Sequence, residues 1–424
     1  MSEQQINAPG LKRQREIYLG GYRGKKTPIP FTYPELEQAA FRSMQRTAFN
    51  YIAAGAGDSS GISQNEAAFK KYSIVPRVLN DVERSDMSAS FAGIPLKHPI
   101  ILSPVGVLSL AHSSADIGVA RAAEASHTPM IFSNQASVKM EDAAAQFKAT
   151  PYWFQLYWSR SDDLVRSFVE RAERCGCRGI IVTLDTTMLG WRPLDLGEAY
   201  LPFLHGLGLA QYISDPIFNR LVDEAPDEQP KEPITLRAFI NVMKLMKRYP
   251  GGFISNFKSK RPLKAVRLFT RIYTNPRLNW SDLSKLREYT NLPIFLKGVL
   301  APEDAKKAKE TGIDGIIVSN HGGRQVEGAI PPILQLAAIR KSVGQSFPVA
   351  LDSGVRTGAD IFKAINLGAD AVCIGRPYVY ALALGGQAGV EEYLKNLIAD
   401  LDLTMKLSGC RSIDEIRATT LKTL

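Results

Sequence analysis

Gly315-Ile316-Ile317-Val318-Ser319-Asn320-His321-Gly322-Gly323-Arg324 joins a short apolar run to an imidazole, two glycines and a cation. A β-branched run of this kind, bounded by polar residues, reads as a strand buried on both faces. The residues after it bring a titratable ring, room for close backbone approach and positive charge to the strand's C-terminal end. Further apolar runs lead into Asp352-Ser353-Gly354-Val355-Arg356 and into Gly375-Arg376, so the device recurs.

Working outward, short apolar runs alternate with longer charged segments of helical period from about residue 98 onward, the pattern of βα units on a parallel sheet. Eight strands are predicted: Pro99 to Ser103, Pro129 to Ser133, Tyr152 to Leu156, Gly179 to Asp185, Pro293 to Lys297, Gly315 to Asn320, Pro348 to Asp352 and Ala371 to Gly375. Helices are predicted over Ala115 to Ala125, Asp162 to Cys175, Pro302 to Thr311, Gly358 to Leu367 and Val390 to Lys406. Eight units point to an α/β fold of the (β/α)8 TIM-barrel kind rather than an open doubly wound sheet. The C-terminal strand ends of such a barrel hold its site. That rule gathers Ser103-Pro104, Ser133-Asn134, Gln155, Thr183 with Asp185, Lys297, Ser319 with His321, Asp352 and Gly375-Arg376 on one rim.

The expected organisation is an N-terminal arm, 1–32, and one barrel unit, 33–424, with a helical lead-in over 34–80 and a lid-like insertion after strand four, 194–276. Tyr33-Pro34-Glu35-Leu36 opens a helix, and Tyr51-Ile52-Ala53-Ala54-Gly55-Ala56-Gly57-Asp58 reads as a glycine-punctuated turn. A chain of 424 residues, 45% hydrophobic, can bury the core of one such unit. Its net charge of +10 draws heavily on Lys247 to Arg271, which holds eight Lys or Arg and no Asp or Glu. Without the stacking aromatics of a nucleic-acid reader, this stretch reads as a solvated or subunit-facing surface, and an acidic patch of Asp223, Glu224, Asp227 and Glu228 precedes it. Cys175, Cys177, Cys373 and Cys410 make neither a disulfide framework nor a zinc site, and no run has the length of a membrane span. The expectation is a cytoplasmic protein with no metal, nucleic-acid or membrane partner.

His321 is one of five histidines, and Gly322-Gly323 beside it removes bulk where a substrate could approach. It reads as a general base, which needs a carboxylate to steady the imidazolium it becomes. Asp185 is the candidate, although it could equally cap a helix or pair with Arg192. His98 and His127 precede strands and so belong to the opposite rim, whereas His112 and His205 stand as further neighbours. Arg192 and Arg324, just past strands four and six, suit bidentate capture of a carboxylate. Arg356 and Arg376, in glycine-flanked turns after strands seven and eight, suit a phosphate. Lys297 could form a Schiff base, neutralise an anion on a cofactor ring, or sit in a structural ion pair. Tyr51 and Tyr157 offer hydroxyl donors or plain packing.

These motifs resemble the FMN-dependent L-2-hydroxy acid oxidases and dehydrogenases. The likeness runs from about Tyr33 to the C-terminus. It rests on 51–58, Phe154-Gln155-Leu156-Tyr157, Thr183-Leu184-Asp185-Thr186, Leu296-Lys297-Gly298, Ser319 to Gln325, Asp352 to Arg356 and Gly375-Arg376-Pro377. Within the family the chain is most similar to the lactate 2-monooxygenase branch, through Gly190-Trp191-Arg192-Pro193, Phe203-Leu204-His205-Gly206-Leu207 and the insertion containing Ser214-Asp215-Pro216. The resemblance implies that His321 takes a proton from the substrate while Asp185 stabilises it, and that Tyr51, Tyr157, Arg192 and Arg324 hold the substrate. It places FMN on Pro104, Val105, Gly106, Ser133, Gln155, Thr183, Lys297, Ser319, Asp352, Ser353, Gly354, Val355, Arg356, Gly375 and Arg376. It also implies a short L-2-hydroxy acid, L-lactate above all, oxygen as acceptor, and a homotetramer or homo-octamer. Gly106 stands where glycolate and lactate oxidases typically carry Ala. Two outcomes follow: release of keto acid with hydrogen peroxide, or oxidative decarboxylation. The alternatives are a dehydrogenase using another acceptor and an FMN barrel isomerase, the latter disfavoured by the Arg192, Arg324 and His321 set.

Overall fold

A computed structural model of the protein describes residues 9–226 and 235–424. Eight parallel strands close into a barrel: β1 (Ile100–Leu102), β2 (Met130–Phe132), β3 (Tyr152–Leu156), β4 (Ile180–Thr183), β5 (Ile294–Val299), β6 (Gly315–Val318), β7 (Val349–Asp352) and β8 (Ala371–Ile374), with β8 pairing back onto β1. The surrounding helices are α1 (Ala115–Ala125), α2 (Met140–Ala144), α3 (Asp162–Arg174), α4 (Leu283–Tyr289), α5 (Pro302–Glu310), α6 (Pro332–Val343), α7 (Gly358–Asn366) and α8 (Arg376–Leu407). The expected (β/α)8 barrel is the fold.

Side chains alternate along each strand. Ile101, Ile131, Trp153, Ile181, Phe295, Ile317, Ala350 and Ala371 pack together inside the barrel, while Ile100, Leu102 and their equivalents join the larger core beneath the helices. Two residues further along, the inward position turns polar. Ser103, Ser133, Gln155, Thr183, Lys297, Ser319 and Asp352 follow the apolar layer, and all are buried.

The opposite end is stoppered by an antiparallel hairpin, Ala89–Phe91 with Ile94–Leu96, which periodicity did not disclose. Its Phe91 ring lies 5.2 Å from that of Phe295 and 6.0 Å from that of Trp153. Another short antiparallel pair, Tyr72–Ile74 with Leu421–Thr423, ties the lead-in to the C-terminal segment.

Several boundaries differ from the expected ones for local reasons. β4 stops at Thr183, because the chain leaves the ladder there and carries Asp185 away from it. β5 runs on to Val299 through a register shift at Gly298. Gly298 has φ +102°, and a Cβ on it would lie 2.8 Å from the Asp185 Cβ, so the bulge makes room for that carboxylate. Helix α8 begins at Arg376 rather than Val390 and is broken at Gly385-Gly386, whose backbone leaves the helical region. The stretch read as a turn from Tyr51 starts later, because Arg46–Ala53 is helical and buries Ala48, Tyr51 and Ile52 on one face. Residues 9–22 of the expected arm form a helix, with Gly10 N donating to Asp402 Oδ2 at 3.0 Å and Arg13 Nε to Asn396 Oδ1 at 2.8 Å on α8.

The described part of the insertion is helical, including Ala210–Ile213, Pro216–Glu224, Leu236–Arg248, Phe253–Ser259 and Arg261–Ile272. Asp227 and Glu228 lie outside the described residues. Asp215 caps Pro216–Glu224 through the Ile217 and Phe218 amides and accepts from Arg171 at 3.0 Å. An aromatic chain continues inward: Phe168 to Tyr212 at 5.0 Å, Tyr212 to Phe269 at 4.8 Å, Phe269 to Phe203 at 5.1 Å and Phe203 to Tyr51 at 6.4 Å. Among the described residues, no helix is long and apolar enough to cross a membrane.

If the hairpin is the stopper of the barrel, Phe91→Ala should cost about 3–5 kcal/mol, the usual range for emptying a packed aromatic site. Urea unfolding of the variant measures this, and a loss below about 1 kcal/mol would show that the barrel end closes without it.

Candidate active site

The polar inward layer forms the floor of a cleft of about 980 Å³ at the C-terminal rim, a volume that includes open space at its mouth. Lys297 anchors the floor. Its ammonium lies 3.0 Å from Asp352 Oδ2 and donates to Ser319 Oγ at 2.9 Å. Ser319 donates to Asp352 Oδ2 at 2.6 Å and Ser103 to Oδ1 at 2.7 Å. Burial works against the Lys297 charge, but Asp352 and then Asp185 outweigh it and raise the ammonium above its ordinary range. For Asp352, burial is outweighed by Lys297 and the two serine hydroxyls, which hold the carboxyl at about 2. Both groups stay charged, and of the three readings of Lys297 the ion pair is present.

His321 stands on the cleft wall with φ +57°, a left-handed backbone permitted in this tight turn before two glycines. Its Nδ1 lies 2.8 Å from Asp185 Oδ1, which decides the partner of Asp185: neither a helix end nor Arg192 takes it. Thr186, which sequence reasoning passed over, donates to the same oxygen at 3.1 Å and lies 3.3 Å from His321 Nδ1. With Nδ1–H donated to the carboxylate, the neutral ring presents Nε2 as an acceptor, and that atom has no hydrogen-bond partner among the described residues. Burial lowers the His321 pKa, Asp185 restores part of it, and Lys297 and Arg192 lower it again. The ring is therefore neutral at neutral pH. Burial alone would raise the Asp185 pKa, but His321 and Lys297 bring it below the usual carboxylate value.

Tyr51, Tyr157, Arg192 and Arg324 line the same cleft. Burial, and next the Asp185 charge, push the Tyr157 hydroxyl up to about 12, while burial raises that of Tyr51, so both are protonated donors. Arg324 gives hydrogen bonds to the carbonyls of Tyr51, Ile52 and Ala54 at 2.6–3.1 Å and lies over the Tyr51 ring. Burial, Arg192 and Arg376 all lower the Arg324 pKa. A guanidinium does not deprotonate in a protein, so the shift expresses a demand for negative charge. Among the described residues the one carboxylate near Arg192 is Asp195, at 3.8 Å, and the short bonds of Arg192 go to neutral oxygens.

At the far end of the cleft, Gly322, Gly354 and Gly375 let backbone approach closely, and α8 begins there. Arg376 is braced on the carbonyls of Ile52, Ala54 and Gly322 at 2.8–3.1 Å. Arg356 is already paired, with Nη2 at 3.0 Å from Glu66 Oε1 and the guanidinium stacked over Tyr33. Nothing in the sequence linked Arg356 to a carboxylate 290 residues away.

Pro104, Val105, Gly106, Ser133, Ser353, Gly354, Val355, Gly375 and Arg376 line the cleft, whereas Gln155, Thr183 and Ser319 lie in the floor behind the lining and Asp185, half-buried in the loop after β4, reaches the cleft through His321. Gln155 Oε1 accepts from Ser133 Oγ and the Asn134 amide, but its Nε2 is buried without a partner among the described residues, as are Thr183 Oγ1 and Asp185 Oδ2. Orphaned polar atoms of this kind carry a cost that a ligand with donors and acceptors on its edge removes. Unmet polar groups at one end and a cationic, glycine-lined turn at the other suit a flat polar ring bearing a phosphate, so the residues fit FMN. A Cβ on Gly106 would lie 2.6 Å from the Gln135 carbonyl oxygen, so the wall is built around glycine there.

The other histidines lie elsewhere. His98 is buried at the opposite barrel end against Thr128 and the Ser126 carbonyl, and burial depresses it to about 4. His112 bonds Ser114, and His205 stacks on Tyr200; neither lines the cleft, and His127 does not either.

Comparison with known proteins bears on the family of the chain. The family model for FMN-dependent dehydrogenase matches residues 40–423. A protein named L-lactate oxidase from Lysinibacillus sphaericus (strain C3-41) is 38% identical over 93% of this chain and 94% of its own length. One named FMN-dependent alpha-hydroxy acid dehydrogenase qulF from Penicillium citrinum is 36% identical over 94% of this chain and 92% of its own. Among solved structures, a mandelate oxidase superposes with a TM-score of 0.75 at 30% identity, covering 93% of this chain and 99% of that one. The eight-stranded barrel, its polar floor and these likenesses together make the chain a member of the FMN-dependent dehydrogenase family.

Proposed function

We propose that the protein oxidises a short L-2-hydroxy acid, L-lactate first among them, with oxygen as acceptor. The observation that carries this reading is the His321–Asp185 pair, 2.8 Å apart, on a cleft wall shared with Arg192 and Arg324. A proton acceptor next to two guanidinium groups suits a molecule that carries a hydroxyl beside a carboxylate, and the relatives named L-lactate oxidase support the smallest such acid. The FMN barrel isomerase alternative, which would act on a diphosphate, is not supported by guanidinium groups and a proton acceptor arranged for a small carboxylate.

In this reading Arg192 and Arg324 hold the substrate carboxylate, and Tyr51 and Tyr157 donate to its oxygens. His321 Nε2 takes the hydroxyl proton, and Asp185, ionised and hydrogen-bonded to Nδ1, stabilises the imidazolium that results. FMN, when bound, supplies the acceptor for the two electrons lost from the substrate carbon. Pro104, Val105, Gly106, Ser133, Gln155, Thr183 and Ser319 would hold its ring, with Lys297 providing fixed positive charge there. Asp352, Ser353, Gly354, Val355, Arg356, Gly375 and Arg376 would hold the rest, phosphate included. The insertion, read as a lid, covers the substrate side through Phe203 on Tyr51 and Gly208 against Val107 and Gln135. That enclosure supports oxidative decarboxylation, in which L-lactate and oxygen give acetate, carbon dioxide and water. Escape of the keto acid before oxygen reacts would give pyruvate and hydrogen peroxide.

Purified yellow enzyme should bleach with L-lactate under anaerobic conditions, and aerobic turnover assayed separately for acetate, pyruvate and peroxide identifies the outcome. Absence of bleaching with L-lactate and with larger L-2-hydroxy acids would reject the reading. His321→Ala should slow bleaching by about 10²–10⁴-fold with the cofactor retained; bleaching at the wild-type rate would remove His321 as the base. The active form of His321 is neutral, so kcat/KM should fall as pH drops through its depressed pKa, placing the acid limb below about 6.5. Asp185→Asn removes the charge that raises that pKa, so the limb should move to still lower pH while kcat drops. A limb at unchanged or higher pH in the pH–rate profile of that variant would contradict the pairing.

A further inference from the structure

We infer that Gln325 is a positioning residue that sets the distance between Asp185 and Arg192, and so joins proton transfer to carboxylate capture. The inference rests on the proposed function of the cleft. Gln325 follows the last cation of the rim motif and does not line the cleft. Its amide nevertheless spans the whole loop after β4. Nε2 donates to the Asp185 carbonyl at 2.7 Å and the Met188 carbonyl at 2.9 Å. Oε1 accepts from Arg192 Nη2 at 2.7 Å and the Gly190 amide at 3.3 Å. Both donors and both acceptor positions of the side chain are used.

Elsewhere the loop is held at separate points, by the Leu184 amide on the Lys297 carbonyl, by Asp185 on His321 and by the Gly57 amide on the Trp191 carbonyl. Met188, Leu189 and Trp191 are exposed, so apolar burial does not fix its path. Polar ties and close backbone packing do that instead: Arg192 Nε donates to the Arg324 carbonyl at 3.0 Å, and a Cβ on Gly190 would lie 2.6 Å from the carbonyl oxygens of Arg324 and Gln325. Of these ties, only the Gln325 side chain touches Asp185 and Arg192 together. Leucine has similar bulk but would leave two carbonyls without donors and Arg192 without its short acceptor. Glutamate would keep the acceptor for Arg192 but turn oxygen toward the Asp185 and Met188 carbonyls.

The test uses FMN-loaded enzyme and oxalate, an unreactive dianion read by its perturbation of the flavin spectrum. Wild type, Gln325→Leu, Arg192→Ala and the double variant give a cycle of oxalate dissociation constants, and L-lactate turnover gives KM, kcat and the pH profile. Gln325→Leu should weaken oxalate roughly 10- to 100-fold, the range for a lost hydrogen bond to a charged group. The same change should have little effect once Arg192 is alanine, because two residues acting through one contact are not additive. Its acid limb should also shift, as in Asp185→Asn. Gln325→Glu keeps an acceptor for Arg192 but sets a negative charge on that guanidinium and turns oxygen toward two carbonyls, so it should weaken the oxalate dianion and displace the limb as well, which gives a second reading of both ties even if the leucine variant folds poorly; wild-type oxalate affinity with an unmoved limb in this variant would overturn the role. Additive losses in the cycle together with an unmoved pH limb would overturn the positioning role and leave only general stability. Failure of wild type to be reduced by any L-2-hydroxy acid would instead strike the proposed function, which the oxalate cycle does not depend on.

Discussion

The ion pair between Lys297 and Asp352 inside the top of the barrel constrains everything above it. Two charges withdrawn from water cost more than their mutual attraction returns unless their remaining hydrogen-bonding positions are filled. Here Ser103 and Ser319 fill them, one on each carboxylate oxygen, and Ser319 also accepts from Lys297. The pair therefore requires small hydroxyl residues immediately after strands β1 and β6, and an apolar layer at that level is excluded. A barrel that is oily through its middle becomes polar at one end, which leaves the orphaned amide of Gln155 and hydroxyl of Thr183 as buried sites for a bound group.

The rim is assembled on that floor by loops that brace one another. Arg324 and Arg376 share the carbonyls of Ile52 and Ala54, so the C-terminal turn of the helix bearing Tyr51 supports both cations. Arg192 rests on the loop that carries Arg324. Among the described residues no carboxylate lies within ion-pair distance of Arg324 or Arg376, and burial, reinforced by the neighbouring Arg192 and Arg376, lowers the Arg324 pKa. Backbone oxygens hold the guanidinium groups in place without cancelling their charge, which leaves the cleft attractive to anions.

Much of this was legible in the sequence because strands have a period of two. Each floor residue lies two positions beyond an inward apolar residue, as Ser319 follows Ile317 and Lys297 follows Phe295, so their convergence follows once eight strands are recognised. Ser103 was legible by the same step. What the sequence did not show depends on contacts between distant segments. The choice of His321 by Asp185, the pairing of Glu66 with Arg356 and the reach of Gln325 across the β4 loop all join residues more than a hundred positions apart. The barrel stopper was missed because its two strands mix polar and apolar residues within three positions and the second contains Pro95, so neither shows the continuous apolar run that marks the equally short β1 and β2. The helix ending at Ala53 was obscured by the glycines that follow it, although Ala48, Tyr51 and Ile52 carry the spacing of one helical face.

The bulge at Gly298 bears on how far members of such a family can diverge. The carboxylate that faces the imidazole is located by an empty volume on the neighbouring strand as well as by its own chain. Position 298 does not line the cleft, yet a single methyl group there would press on Asp185 and disturb the proton-accepting pair from behind. Drift at a residue without chemistry of its own is thereby coupled to the chemistry, and the site tolerates change least where it is vacant.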